Sequence, residues 1–160
     1  MKAELSSQLD DCADELQKIK KRIDRDKFDD MVVFLQRYAI IKACGTIESV
    51  TKNMIADHVD AGAGTELQNY ISVNLRDSSA NPKSGKIVAI LNEFSSEWRA
   101  AFEAKLSSHS NEKGSLNSLV QLRNDFAHGR SPSATINTII QYYYDSIVIV
   151  KLVEETLEGK

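Results

Sequence analysis

The chain has 160 residues, 42% of them hydrophobic and 27% charged, with a formal net charge of −3. That length fits one domain, residues 1–160, with room for a substantial core. The acidic balance excludes coating of nucleic acid by bulk electrostatics, and no apolar run is long enough to span a bilayer.

Two prolines and seven glycines are few and favour long uninterrupted helices. The first residues lack the apolar centre of a signal peptide, so the expected compartment is the cytoplasm. Cys12 and Cys44 have no zinc-type spacing and make no disulfide framework; idle reduced thiols are expected.

Leu5, Leu9, Leu16, Ile19 and Ile23 recur at helical steps and predict an N-terminal amphipathic helix within residues 1–27 that packs on the rest. Its basic cluster (Lys18, Lys20, Lys21, Arg22, Arg25, Lys27) is broken by Asp24 and Asp26 and reads as a solvated face. A second helix is expected from near Phe28 to His58, with Met31, Phe34, Leu35, Tyr38, Ile41, Ile47, Val50, Met54 and Ile55 as its apolar stripe. It would be roughly 45 Å long, and Gly45 offers a point of close approach. Ala61 to Gly64 ends it, and Thr65 is positioned to cap a helix from Glu66 to about Arg76.

Asp77 to Gly85 reads as a loop, with Ser84 capping a helix that carries Ile87, Ile90, Leu91 and Phe94. Trp98, Phe102 and Leu106 continue the pattern, so this helix either runs on or breaks near Ser95-Ser96. Ser107 to Gly114 reads as another polar loop, and Ser115 as the cap of a helix buried through Leu116, Leu119, Val120, Leu122 and Phe126. Gly129 suits the left-handed position just past its end. Ser131-Pro132-Ser133 opens the last helix, which is apolar on most sides from Ile136 to Leu157. The class is all-α, an up-and-down helical bundle of four core helices plus short extra ones.

The densest chemistry lies in Arg123-Asn124-Asp125-Phe126-Ala127-His128. A permanently charged guanidinium can grip a phosphate and an imidazole can move a proton. Arg123 and His128, five apart, point about 140° away from each other on a helix, whereas Asn124 and His128, four apart, share a face. Asn124 is thus placed to orient the imidazole. An Arg and a His at a helix end can equally just satisfy terminal carbonyls.

The string Leu122 to Gly129 resembles the R-X4-6-H signature of the HEPN superfamily. The order of helices over most of the chain is similar to the RiboL-PSP-type branch. The resemblance implies a helical bundle that pairs through its motif-bearing helices as a homodimer, and often a metal-independent ribonuclease of toxin–antitoxin or defence systems. Carried onto this sequence, Arg123 would bind the scissile phosphate of an RNA substrate, His128 would be the acid/base and Asn124 its support. Glu48 matches the acidic residue of the second HEPN helix. No cofactor or metal is implied. A nucleotidyltransferase-like antitoxin is an implied partner, and a non-catalytic dimerisation, interaction or nucleotide-binding module is the alternative. A plain helical adaptor is the reading outside the family.

Other groupings are weaker. Asp125 could pair with His128, and Ser131 would complete a hydrolase-like trio, but no strained nucleophile turn accompanies them. His58 with Asp57 and Asp60 could bind a metal but reads as surface charge, and His109 falls in the polar loop. Gly62 to Thr65 lacks a phosphate-loop lysine and reads as a connector. Tyr142, Tyr143 and Tyr144 cannot all face one way, and packing is expected at least for Tyr143.

Overall fold

The computed structural model describes residues 1–79, 81–130 and 134–160. Among them the regular elements are all helical: α1 (Ala3–Arg25), α2 (Met31–Val59), α3 (Thr65–Ile71), α4 (Ser84–Phe94), α5 (Ser96–Ser107), α6 (Ser110–Ala127) and α7 (Ile136–Leu157). None of these helices is long and apolar enough to cross a membrane.

α7 is the hub. It packs on α1, α2, α5 and α6, and its buried residues Ile136, Ile139, Ile140, Tyr143, Ser146, Ile149, Val150, Leu152, Val153, Thr156 and Leu157 cover more than one face. The α7 hydroxyls that enter this core are satisfied: Ser146 and Thr156 donate back to the carbonyls of Tyr142 and Leu152 at 2.6 and 2.7 Å. The buried Tyr143 hydroxyl donates to the Leu9 carbonyl of α1 at 2.8 Å. Burial of a phenol without that partner would cost roughly 1–3 kcal/mol.

Contacts along the helices fix their directions. Glu15 meets Lys42, and Lys2 meets Asp57, so α1 and α2 run antiparallel. Ser115 donates to Asp145 at 2.6 Å, while Ser118, Gln121 and Asp125 share a groove with Tyr142, Thr138 and Thr135, so α6 and α7 are antiparallel too. The four long helices therefore form an up-and-down bundle, with α3, α4 and α5 inserted between its second and third members. On α1, the expected stripe is the buried one, joined by Cys12.

The structure corrects several details of the sequence reading. α2 starts at Met31, not Phe28, because Asp26 and Asp29 take the Phe28 and Met31 N–H groups in a turn. The first half of its expected stripe faces outward: Met31, Phe34, Tyr38 and Ile41 are 52, 58, 47 and 47% exposed. The core is instead met by Ala39, Ile40, Ala43, Cys44 and Ile47. Both faces carry apolar residues at helical spacing, so periodicity could not choose between them. Close approach uses Ala39, Ala43 and Ala56, which are fully enclosed, whereas Gly45 is exposed with nothing within 4 Å of the position a Cβ would take.

Three expected caps also move. Thr65 is the first residue of α3, and Gly64 occupies the cap position without a side-chain bond. The N-terminus of α4 is capped from α6, where Asn117 Oδ1 accepts the Ser84 N–H at 3.1 Å. α6 begins at Ser110, which reduces the Ser107–Gly114 loop to a short corner and leaves Ser115 inside the helix, bonded to Asp145. The break near Ser95 is real: Ser95 Oγ accepts from the Glu97 and Trp98 N–H groups at 3.2 and 3.3 Å. The expected start of the last helix, residues 131–133, lies outside the described residues; α7 is capped by Thr135, whose hydroxyl accepts from the Thr138 N–H.

α3 widens at its end into a π turn, Ser72–Arg76, with the Asp77 N–H bonded to the Ser72 carbonyl five residues back. Arg76 clamps that turn to α2 through Asp57 at 2.8 Å, Asp60 at 2.7 Å and Asn53 Oδ1 at 3.0 Å. Burial opposes ionisation of Asp57, but Lys2 and Arg76 together overcome it and hold its carboxyl below the usual range. A depressed folded-state pKa gives stability that is complete above the unfolded value and is lost as the pH falls through the folded one. Asp57→Asn should therefore cost about 1–2 kcal/mol near neutral pH. Urea melts should show the gap to wild type closing as the pH drops below about 4.

Candidate active site

α6 ends through a complete glycine cap. The Gly129 N–H donates to the Phe126 carbonyl and the Arg130 N–H to the Asp125 carbonyl, both at 2.9 Å, with Gly129 at φ +78°. This is the six-to-one and five-to-two bond pair that closes a helix on a left-handed residue. The expected role of Gly129 is the observed one. His128 is the last residue before it, and its exposed position projects from the end of the helix.

Arg123 is half-buried on the same helix, against α2. Its Nη1 reaches Asn124 Oδ1 at 3.5 Å. Burial pushes the Cys44 thiol of α2 up to about 11, with Arg123 pulling it down and Glu48 pushing it further up. Arg123 and Glu48 therefore both act on Cys44, and α2 packs on α6. Glu48 is half-buried and pairs with Lys52 at 3.3 Å, while Lys52 Nζ also donates to the Ser78 carbonyl. Through that bond α2 is tied to the loop that carries Asn81.

Asn124 is held differently from the sequence expectation. Its Oδ1 accepts from Asn81 Nδ2 at 3.1 Å, so its amide faces the 77–83 loop and not the imidazole. His128 is linked to it through the backbone alone, its N–H donating to the Asn124 carbonyl at 3.0 Å. The imidazole makes no hydrogen bond among the described residues. The sequence could not show this, because Asn81 is more than 40 positions away. Asp125 does not pair with His128 either; Gln121 and Arg130 take its Oδ1 at 3.0 and 3.1 Å. Ser131, the third member of the hydrolase-like trio, lies outside the described residues.

Sequence reasoning also missed Arg37. This α2 residue lies between two rings, its guanidinium carbon 5.8 Å from the centre of Phe34 and 5.4 Å from that of Phe126. An arginine within an apolar run was the available signal. Phe126 belongs to the motif itself, so Arg37 flanks it from the neighbouring helix.

The rival groupings resolve into structure. Asp57 and Asp60 are taken by Arg76, and His58 packs edge-on against Trp98 at 5.2 Å between ring centres. No group of potential ligands among the described residues could hold a metal ion. His109 does not sit in a long loop but occupies the N-cap position of α6 without a side-chain cap bond, its Nδ1 lying 2.9 Å from the Lys105 carbonyl of α5. Tyr143 is core and Tyr144 is exposed. In the basic cluster, Lys20 pairs with Asp24 and Arg22 with Asp29. Both cysteines are free and buried.

The sequence profile of the RiboL-PSP-HEPN family matches residues 7–159, almost the whole chain. The chain belongs to the RiboL-PSP-HEPN family. Comparison with curated proteins and with solved structures returns no match. In this HEPN domain the Arg123–His128 segment occupies the last turn and a half of α6, and the glycine cap sets where the imidazole points. Gly129→Ala should cost roughly 1–2 kcal/mol by forcing a Cβ into the left-handed region. Thermal melts should report that loss without any change in helical content outside the end of α6.

Proposed function

We propose that this HEPN domain is a metal-independent endoribonuclease that works as a homodimer, in the setting of a toxin or defence effector. The observation that carries this reading is the exposed His128 imidazole at the capped end of α6, five positions after a half-buried arginine on the same helix. A guanidinium and an imidazole suffice for phosphate binding and proton transfer. The reaction is attack by a ribose 2′-OH on the adjacent phosphorus, with the P–O5′ bond breaking. The products are a 2′,3′-cyclic phosphate and a 5′-OH.

One imidazole cannot both take the 2′ proton as base and give a proton to the leaving 5′ oxygen as acid in the same step. Two copies of the chain provide two, one as base and one as acid. The outward face of α2 and the turn before it support that pairing: Met31, Phe34, Tyr38 and Ile41 form an exposed apolar strip, with Phe28 exposed in the turn. Phe34 touches Arg37, which in turn touches Phe126 of the motif. The strip is thus continuous with the candidate site, and covering it with a second copy brings two α6 ends towards one seam. In this arrangement Arg123 binds the scissile phosphate, and Asn124 fixes the end of α6 through Asn81. Glu48 and Asp125 act as supports through Lys52 and Arg130.

A second reading, a non-catalytic HEPN module that binds another protein such as a nucleotidyltransferase-like antitoxin, is favoured by the engagement of Asn124 away from His128. Cleavage decides between them. Purified wild type should cut single-stranded RNA in EDTA, leaving cyclic phosphate ends. His128→Ala should lose roughly 10²–10⁴-fold and Arg123→Ala a comparable amount, with both folded. Cleavage that persists in both variants would overturn the enzyme reading. Separately, Phe34→Glu should halve the mass in solution and abolish cleavage together. A fully active monomer would remove the dimer from the mechanism.

A further inference from the structure

Arg37 is a cation whose surroundings offer it rings and no acceptor. Its Nε is buried and has no hydrogen-bond partner, and Arg37 forms no ion pair or hydrogen bond among the described residues. Several other half-buried cations of the bundle are ion-paired, Lys52 to Glu48, Arg76 to Asp57 and Asp60, and Lys105 to Glu155, whereas Arg123, like Arg37, has no carboxylate partner among the described residues. Stacking between Phe34 and Phe126 contributes about 0.5–2 kcal/mol. It does not satisfy the N–H groups of the guanidinium, and an unpaired donor of a charged group is costly to leave buried. The two ring contacts nonetheless hold the guanidinium beside the motif.

The packing of α2 on α6 decides where that guanidinium lies. Arg37 of α2 lies against Phe126, three residues after Arg123 on α6 and two before His128. Arg37 therefore stands further along α6 than Arg123, towards its capped end and His128. Two guanidiniums at successive levels of α6, one from α6 itself and one reaching over from α2, match a chain of phosphates and not a single anion.

We infer that Arg37 is a second phosphate-binding residue of the RNA site, gripping a backbone phosphate next to the one held by Arg123. The assignment rests on the endoribonuclease reading above and deepens it, since it gives the site a backbone register. With a net charge of −3 on the chain, such local contacts must supply the electrostatic part of binding.

The test is equilibrium binding of full-length protein to a labelled single-stranded 2′-O-methyl RNA of roughly 12 nucleotides. The probe resists 2′-OH attack, and binding is read in EDTA from about 50 to about 200 mM salt. Arg37→Gln should bind roughly tenfold more weakly. Its plot of log affinity against log salt should be shallower by about 0.7, the loss of one single-strand phosphate contact. Arg37→Lys keeps the charge but loses the stacked fork, so it should keep the wild-type slope with reduced affinity; it carries the test if Arg37→Gln does not fold. A wild-type slope in Arg37→Gln overturns the assignment. So does weaker binding that tracks conversion to a monomer, because Arg37 would then be a seam residue and not an RNA contact. If wild type shows no salt-dependent binding at all, the endoribonuclease reading fails first and this assignment with it.

Discussion

α7 has apolar residues on most of its circumference, and a helix of that kind has to be wrapped. α1, α2, α5 and α6 do the wrapping, and the positions of all four follow from what α7 can accept at each level. Tyr143 illustrates the constraint. Its ring fills the centre of the bundle while its hydroxyl needs an acceptor, and the Leu9 carbonyl of α1 supplies one. Helix propensity makes the elements, but the demand of α7 for cover chooses their neighbours.

The candidate site follows from the same packing. α6 is held on α7 by Leu116, Leu119 and Val120 in its first two-thirds, and that burial runs out towards the motif. Leu122 and Phe126 are half-buried, and His128 is exposed. The glycine cap then ends the helix before the imidazole can be drawn into the core. Polar chemistry is thus concentrated where the bundle stops being able to bury it. The 77–83 loop closes one side through Asn81, and the first half of α2 closes the other through Arg37.

α2 is the element on which fold and function compete. Its second half is a core helix, with Ile47, Val50 and Ile55 enclosed. Its first half turns small residues, Ala39 and Ala43, to the core and leaves large ones outside. A helix with apolar residues on two faces has more hydrophobic surface than one chain can cover. That excess is the physical ground for the proposed pairing with a second copy at the end of the molecule where the motif lies.

Much of this was legible in the residues alone. The helical class and the buried stripe of α1 came from spacing, because a 3.6-residue period in a Gly- and Pro-poor chain leaves little else to build. The break at Ser95 was left open, and the Ser95 cap decided it. Gly129 was legible because only a glycine takes φ +78° without strain. The motif needed no structure to be noticed. Tertiary structure decided which of two apolar faces α2 buries and that Asn117 on α6 caps α4. It decided too that Asn81 takes the amide expected to serve His128, and that Arg37 lies against Phe126. These outcomes share one physical reason. Local spacing fixes what a segment can form, whereas a side chain with several possible partners is settled only when distant segments compete for it.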